Sequence, residues 1–216
     1  MPAALQLGEG TGEGWVYDSA TQTWVYTGAS TFDLTVYANA DGSIGGVGSY
    51  AWDAEGSDTQ TAYIIVAATP DVGDVDGFDI SLTNEGEALT MVASGYGTPP
   101  LNDTNSIATH GIYDTYFEIY EFEFDGSPTW ITDTQPGGSS EGTGYVETIE
   151  FTMNGMLDGV TGLHVDLFTD AGEGIYDPDA PDDPSLVNAF APSSHDIHIN
   201  SPLPAAVDDA KETDED

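Results

Sequence analysis

Apolar and polar residues alternate over short stretches along most of this chain, and no stretch sustains a helical period. Thr31 to Tyr37 puts Phe32, Leu34 and Val36 on one side and Asp33, Thr35 and Tyr37 on the other, as a half-buried strand does. Val146 to Met153 aligns Ile149, Phe151 and Met153, and Leu163, Val165 and Leu167 alternate with His164 and Asp166. Ile197 to Ile199 adds a last short strand. Trp15-Val16-Tyr17 and Trp24-Val25-Tyr26 form a near-repeat around a polar loop, which predicts a β-hairpin. Phe78, Ile80 and Leu82 form one strand and Leu89 to Val92 another, around the turn signal Asn84-Glu85-Gly86. Tyr63 to Ala68 is apolar throughout and reads as a buried central strand. Leu186 to Phe190 has room for one helical turn.

The longest aromatic and β-branched run is His110 to Phe124, ending at Asp125-Gly126. Phe117 and Ile119 point to one side of it; Tyr116, Tyr120, Phe122 and Phe124 point to the other. Apolar weight on both faces predicts a central strand, or a bulge that switches the buried face. Glu118, Glu121 and Glu123 argue against complete burial, because a buried carboxylate without partners is costly. These elements add up to about nine to ten short strands separated by turn clusters. The fold class expected is all-β: a single jelly-roll-like β-sandwich over residues 1–200, with negligible helix. Residues 1–14 would supply an N-terminal strand and a Gly-rich link, and 201–216 an acidic disordered tail.

Composition narrows the function classes. The 216 residues are 39% hydrophobic, enough for a substantial core, and 11% aromatic, which argues against general disorder. There are 39 acidic residues, and Lys211 is the single basic side chain, for a net charge of −38. Such a surface repels nucleic acid and anionic membranes. Without arginine, and with one lysine, carboxylates must be relieved by water, backbone N–H groups or bound cations. Without cysteine, neither disulfides nor thiolate metal sites are available. Met1-Pro2-Ala3-Ala4 lacks the charged start and apolar stretch of a signal peptide, which leaves two readings, a cytoplasmic protein or a mature sequence behind an added initiator Met; the resemblance given next favours the second.

Several motifs carry a resemblance to a known family. They are Leu5-Gln6-Leu7, Tyr17-Asp18 with Thr23-Trp24-Val25, Phe32-Asp33-Leu34 and Gly97-Thr98-Pro99-Pro100. His110-Gly111-Ile112-Tyr113 with Thr115-Tyr116-Phe117, Leu163 to Leu167, and Phe190-Ala191-Pro192 with Ser194-His195-Asp196 complete the set. In these the chain resembles the choice-of-anchor N proteins, exported domains usually followed by a C-terminal sorting signal. The resemblance implies a secreted, cell-surface or extracellular-matrix domain with no established activity. Ala205 to Asp216 departs from the usual sorting signal, since it has neither an apolar anchor nor a basic cluster.

Calcium is the cofactor the acid-rich loops suggest, because it takes about six to eight oxygen ligands from flexible segments. The first candidate is Asp71, Asp74, Asp76 and Asp79, around the Gly73 and Gly77 turns. It departs from the EF-hand: with Asp76-Gly77 at the fifth and sixth positions, the first is Val72 and the twelfth Thr83. The second is Asp170, Glu173, Asp177, Asp179, Asp182 and Asp183, held open by Pro178, Pro181 and Pro184. A weaker third is Asp53, Glu55 and Asp58. His195 and His198, three apart, fall on opposite faces of a strand, which spoils joint zinc ligation. Ser194, His195 and Asp196 are adjacent and cannot occupy the separate positions of a triad.

An enzyme is not expected. The reading is an extracellular structural protein of a cell surface, matrix or filament, stabilised by calcium. Self-association would run through the strand Ala3 to Leu7, carried on the link Gly8 to Gly14; the plainer alternative is that Leu5 to Leu7 is simply the first strand of a monomer. The alternative is a polysaccharide-binding β-sandwich, with the acidity an adaptation to high salt.

Overall fold

A computed structural model describes residues 5–39, 60–69, 77–97, 115–124, 127–138, 141–155, 159–170, 187–191 and 196–200. Among these, regular structure is entirely β, in fourteen strands. They are β1 (Leu5–Glu9), β2 (Trp15–Asp18), β3 (Thr23–Tyr26), β4 (Thr31–Asn39), β5 (Gln60–Thr69), β6 (Ile80–Asn84) and β7 (Glu87–Ala88). There follow β8 (Thr90–Gly97), β9 (Thr115–Phe124), β10 (Thr129–Thr132), β11 (Glu141–Met153), β12 (Gly162–Asp170), β13 (Val187–Phe190) and β14 (Ile197–Asn200). The count exceeds the nine to ten expected because two-to-four-residue edge strands such as β7, β10 and β13 are too short to show a period.

Two sheets result. The first runs β1-β4-β11-β6-β7, with β10 also on β11; the second runs β2-β3-β14-β12-β5-β9-β8, with β13 also on β12. Pairings are antiparallel except β3 with β14. The sandwich interior takes one face of each sheet. Leu5, Leu7, Leu34, Val36, Ile149 and Phe151 come from the first sheet, and Ile64, Val66, Leu163, Val165, Phe122 and Phe124 from the second. An aromatic stack joins the layers: Tyr26 lies on Phe32 at 3.9 Å between ring centroids, and Phe32 on Phe151 at 5.2 Å.

The hairpin expected from the Trp-Val-Tyr near-repeat forms, whereas the strands expected around Asn84-Glu85-Gly86 do not pair with each other: β6 turns back onto the two-residue β7, and Thr90 onward is β8 in the other sheet. Trp15 pairs with Tyr26 and Tyr17 with Trp24. At the β6–β7 turn Glu85 and Gly86 both have positive φ, 50° and 85°, the two left-handed residues of a type I′ hairpin. Leu186 to Phe190 departs from the one-turn helix considered for it: Val187–Phe190 is β13, because β12 offers its backbone groups as a ladder partner. That pairing is non-local and invisible to a helical reading.

The N-terminal strand is built into its own sheet. Leu5 and Leu7 are fully buried and pair with Ala38 and Val36. Its outer side is covered from the segment after β10: Thr134 donates its N–H to Gln6 Oε1 (3.0 Å) and its hydroxyl to the Leu7 carbonyl (3.0 Å). Nor are the glycines that follow a loose link. A Cβ on Gly10 would sit 1.8 Å from the Asp33 carbonyl oxygen, and one on Gly14 2.6 Å from Gly28 Cα. Glycine is needed there so that two backbones can pass each other.

Phe151 is fully buried in the stack between the sheets. Phe151→Ala removes a ring that its neighbours cannot replace, so it should cost about 3–5 kcal/mol in denaturant unfolding, with unchanged β-type circular dichroism. A loss below about 1 kcal/mol would mean that the stack does not join the layers.

Candidate functional site

β9 lies between β5 and β8, as its two apolar faces predict. Tyr120, Phe122 and Phe124 enter the sandwich interior. Phe117 and Ile119 face the other way and are also buried, with Tyr63, Ile65, Ala67 and Phe168. The register of β9 against β5 is unbroken, and the bulge at this place lies on the neighbouring strand β8 between Met91 and Ala93.

The argument against complete burial holds for half-buried Glu121 and exposed Glu123 but not for Glu118, which is 3% exposed. Its carboxylate is held by neutral donors instead of a cation. Oε1 accepts the Phe78 N–H (2.8 Å) and the Tyr116 hydroxyl (3.0 Å), and Oε2 accepts the Tyr120 hydroxyl. Burial, then the hydrogen bond and charge of Glu118, push the Tyr120 phenol well above its ordinary range, so it stays a donor. Phe78 also stands edge-on to Tyr116 at 4.9 Å. Glu118 therefore docks the end of the first acid-rich loop onto the central strand. The spacing Tyr116-x-Glu118-x-Tyr120, three residues of one strand face, is the sequence signal for this node.

A second buried polar group lies on the outward face of β12 and β14. His164 pairs directly with His198, and His164 Nδ1 lies 3.0 Å from His198 Nε2. On its other side His164 Nε2 faces Asp166 Oδ2 at 3.9 Å and Asp196 Oδ2 at 3.5 Å. His164, Asp166 and Asp196 are all at least 97% buried, and Asp166 Oδ1 also accepts the Leu167 N–H at 2.8 Å. Burial, then the neighbouring His164, pushes His198 down to about 4. The outward direction expected for His164 is correct, but the face is buried there. His-x-Asp and Asp-x-His occur in alternating strands, yet only the β12–β14 register brings them together. What this block can do chemically is hold or pass a proton.

Acid-lined clefts flank the β6–β7 turn. One, of about 420 Å³, is bordered by Asp33, Glu85, Glu147 and Glu150; another, of about 320 Å³, by Glu85, Glu87, Glu121 and Glu123. Asp33 and Glu150 are direct cross-strand partners, an arrangement of like charges that costs stability unless cations gather there.

Of the calcium candidates, Asp71, Asp74, Asp76, Glu173, Asp177, Asp179, Asp182 and Asp183 lie outside the described residues, as do Asp53, Glu55, Asp58, His110 and His195. Asp79 is exposed, and its carbonyl accepts the N–H groups of Asn154 (2.7 Å) and Gly155 (3.3 Å). Asp170 ends β12 and pairs with Val187 beyond a bulge. Among the described residues, no three or more His, Asp or Glu side chains are arranged to hold a metal ion. Trp15 and Trp24 pack in or against the core, whereas Trp130 is 63% exposed.

No family model matches the chain. Over 137 residues it is 27% identical to Crh-like protein 3 of Botryotinia fuckeliana (strain B05.10), a match covering 56% of this chain and 29% of that protein. The chain thus spans under a third of that relative's length. Among solved structures it is similar to AvmM, which catalyses macrocyclization in alchivemycin A biosynthesis, with a TM-score of 0.36 and 10% identity. That match covers 91% of this chain and 100% of AvmM, and a likeness this distant carries no argument.

Glu118→Ala leaves two tyrosine hydroxyls and a backbone N–H without their acceptor, each a penalty of about 1–3 kcal/mol. We expect a loss of at least about 3 kcal/mol in urea unfolding, and a smaller one for Glu118→Gln, which keeps an oxygen. Equal losses in the two variants would show that packing, not hydrogen bonding, holds the node.

Proposed function

We propose that this chain is an exported structural domain of a cell surface, matrix or filament whose acid coat is neutralised by cations, calcium foremost. The observation that carries the reading is how the charge is divided. Buried Glu118 is held by hydroxyls and a backbone N–H, while Asp166 and Asp196 face an imidazole. Most other described carboxylates are exposed or partly so, in a chain whose one basic side chain is Lys211. The fold needs no cation for its described interior, and its outside needs many. The resemblance to the choice-of-anchor N proteins supports export. The Crh-like relative adds nothing to the activity, because the match covers so little of that protein.

Assembly through the N-terminal strand would proceed by exchange. With Leu5 and Leu7 in the core and Thr134 over the outer side of β1, that strand must leave its own sheet before a neighbour accepts it. Exchange in one direction would give open filaments. A second reading, binding of polysaccharide, draws on exposed Trp130, whose ring can stack on a sugar. Trp130→Ala should then abolish retention on an insoluble glycan without changing the melting temperature.

Thermal melts in calcium, sodium and molar potassium chloride test the main reading. Low-millimolar calcium should raise the melting temperature where equal sodium does not, the underlying gain in unfolding free energy being about 2.7 kcal/mol at a hundredfold excess over Kd. Asp74→Asn combined with Asp76→Asn should remove part of that gain. A requirement for molar salt alone would replace calcium sites with adaptation to salinity. Deleting Pro2 to Leu7 should abolish any calcium-dependent growth in particle size by light scattering. Monomers from both forms in millimolar calcium would sink the exchange reading.

A further inference from the structure

We propose that the His164–His198 pair makes the β12–β14 ladder an acid-sensitive seam, which opens and frees β14 when His198 takes up a proton on the nitrogen that faces His164. The proposal is independent of any role for calcium. It rests on the contact between the two rings. An N–H···N hydrogen bond at 3.0 Å needs one nitrogen bare. With protons on both facing nitrogens the bond is lost, and two N–H groups point at each other across rings whose centroids are 4.7 Å apart.

The surroundings decide which ring yields. The far side of His164 faces the carboxylates of Asp166 and Asp196, so a proton there lies between two acceptors. His164 Nδ1–H can then donate to His198 Nε2, which must stay bare. His198 has no such support among the described residues. Its cross-strand neighbour on β3 is Val25, and the next residue beyond His164 is Ala67 on β5; both are uncharged. Burial and the adjacent His164 hold His198 near 4.

The strand it would free is a short one with a bridging position. β14 has four residues and joins β3 to β12 in the order β2-β3-β14-β12. Its other face carries Ile197 and Ile199, both fully buried in the sandwich interior. The ladder it makes with β12 covers Gly162 to Val165 only.

The sign of the pH dependence follows from the depressed His198. In the opened state the imidazole regains its ordinary value near 6.5, so that state binds the extra proton first. The closed seam is fully favoured above about 6.5 and is lost progressively as pH falls toward 4. One proton makes the opening equilibrium grow by about tenfold per pH unit across that window.

Hydrogen exchange of the intact chain tests this, after correction for the intrinsic pH dependence of amide exchange. Protection at Ile197 to Asn200 should fall about tenfold per unit from pH 6.5 to 4, while amides of Ile64 to Val66 in β5 change less. His198→Gln, which keeps a hydrogen-bonding end but does not titrate, should flatten the β14 profile. Equal slopes in β14 and β5, or an unchanged slope in His198→Gln, would overturn the proposal. If that variant does not fold, imidazole NMR of the natural sequence decides. Loss of β14 protection must coincide with protonation of His198, and loss at a pH where that ring is still neutral overturns the seam.

Discussion

A buried carboxylate in this protein cannot rely on an arginine or lysine, because the sequence contains no arginine and one lysine near its end. Every interior acid must be placed where neutral donors converge. That constraint shapes the middle of the second sheet. Glu118 survives inside because two tyrosines on its own strand face and the Phe78 backbone reach it together. Charge-assisted hydrogen bonds of this kind are the stronger ones, and in a dry site they replace what a salt bridge would supply. The same interaction fixes where the segment before β6 meets β9, so charge and topology are solved by one contact.

The His/Asp block meets the constraint differently. Two carboxylates flank one imidazole, and that imidazole leans on a second. The solution depends on proton occupancy, whereas the Tyr120 phenol beside Glu118 is pushed well above its ordinary range and keeps its proton. The two nodes sit on the same sheet, on opposite faces and on different strands. One is a fixed anchor near the sheet centre. The other lies on the ladder joining β14, and through it the β2–β3 hairpin, to the rest of that sheet.

Outside, acids crowd one another on the sheet faces. Asp33 and Glu150 oppose each other across β4 and β11, and four glutamates border the cleft beside the β6–β7 turn. Their mutual repulsion opposes the compact state and keeps copies of the chain apart, and cations relieve both effects.

Local pattern determined much of this protein. Period-two alternation in Phe32 to Val36, Ile149 to Met153 and Leu163 to Leu167 located the core faces, because a strand's side chains depend only on parity. Asn84-Glu85-Gly86 marked its own turn, because a type I′ hairpin needs residues that tolerate positive φ. The two apolar faces of Phe117 to Phe124 announced a central strand. Register, though, is a property of two strands at once. Nothing within one segment says that His164 will meet His198, that Glu118 will be roofed by Phe78, or that Thr134 will close over β1. Those contacts span from 34 to 127 residues of chain, and only the folded sheets decide them. The glycines after β1 show the same limit. Read locally they mean freedom, and in the sandwich Gly10 and Gly14 mean two backbones in contact.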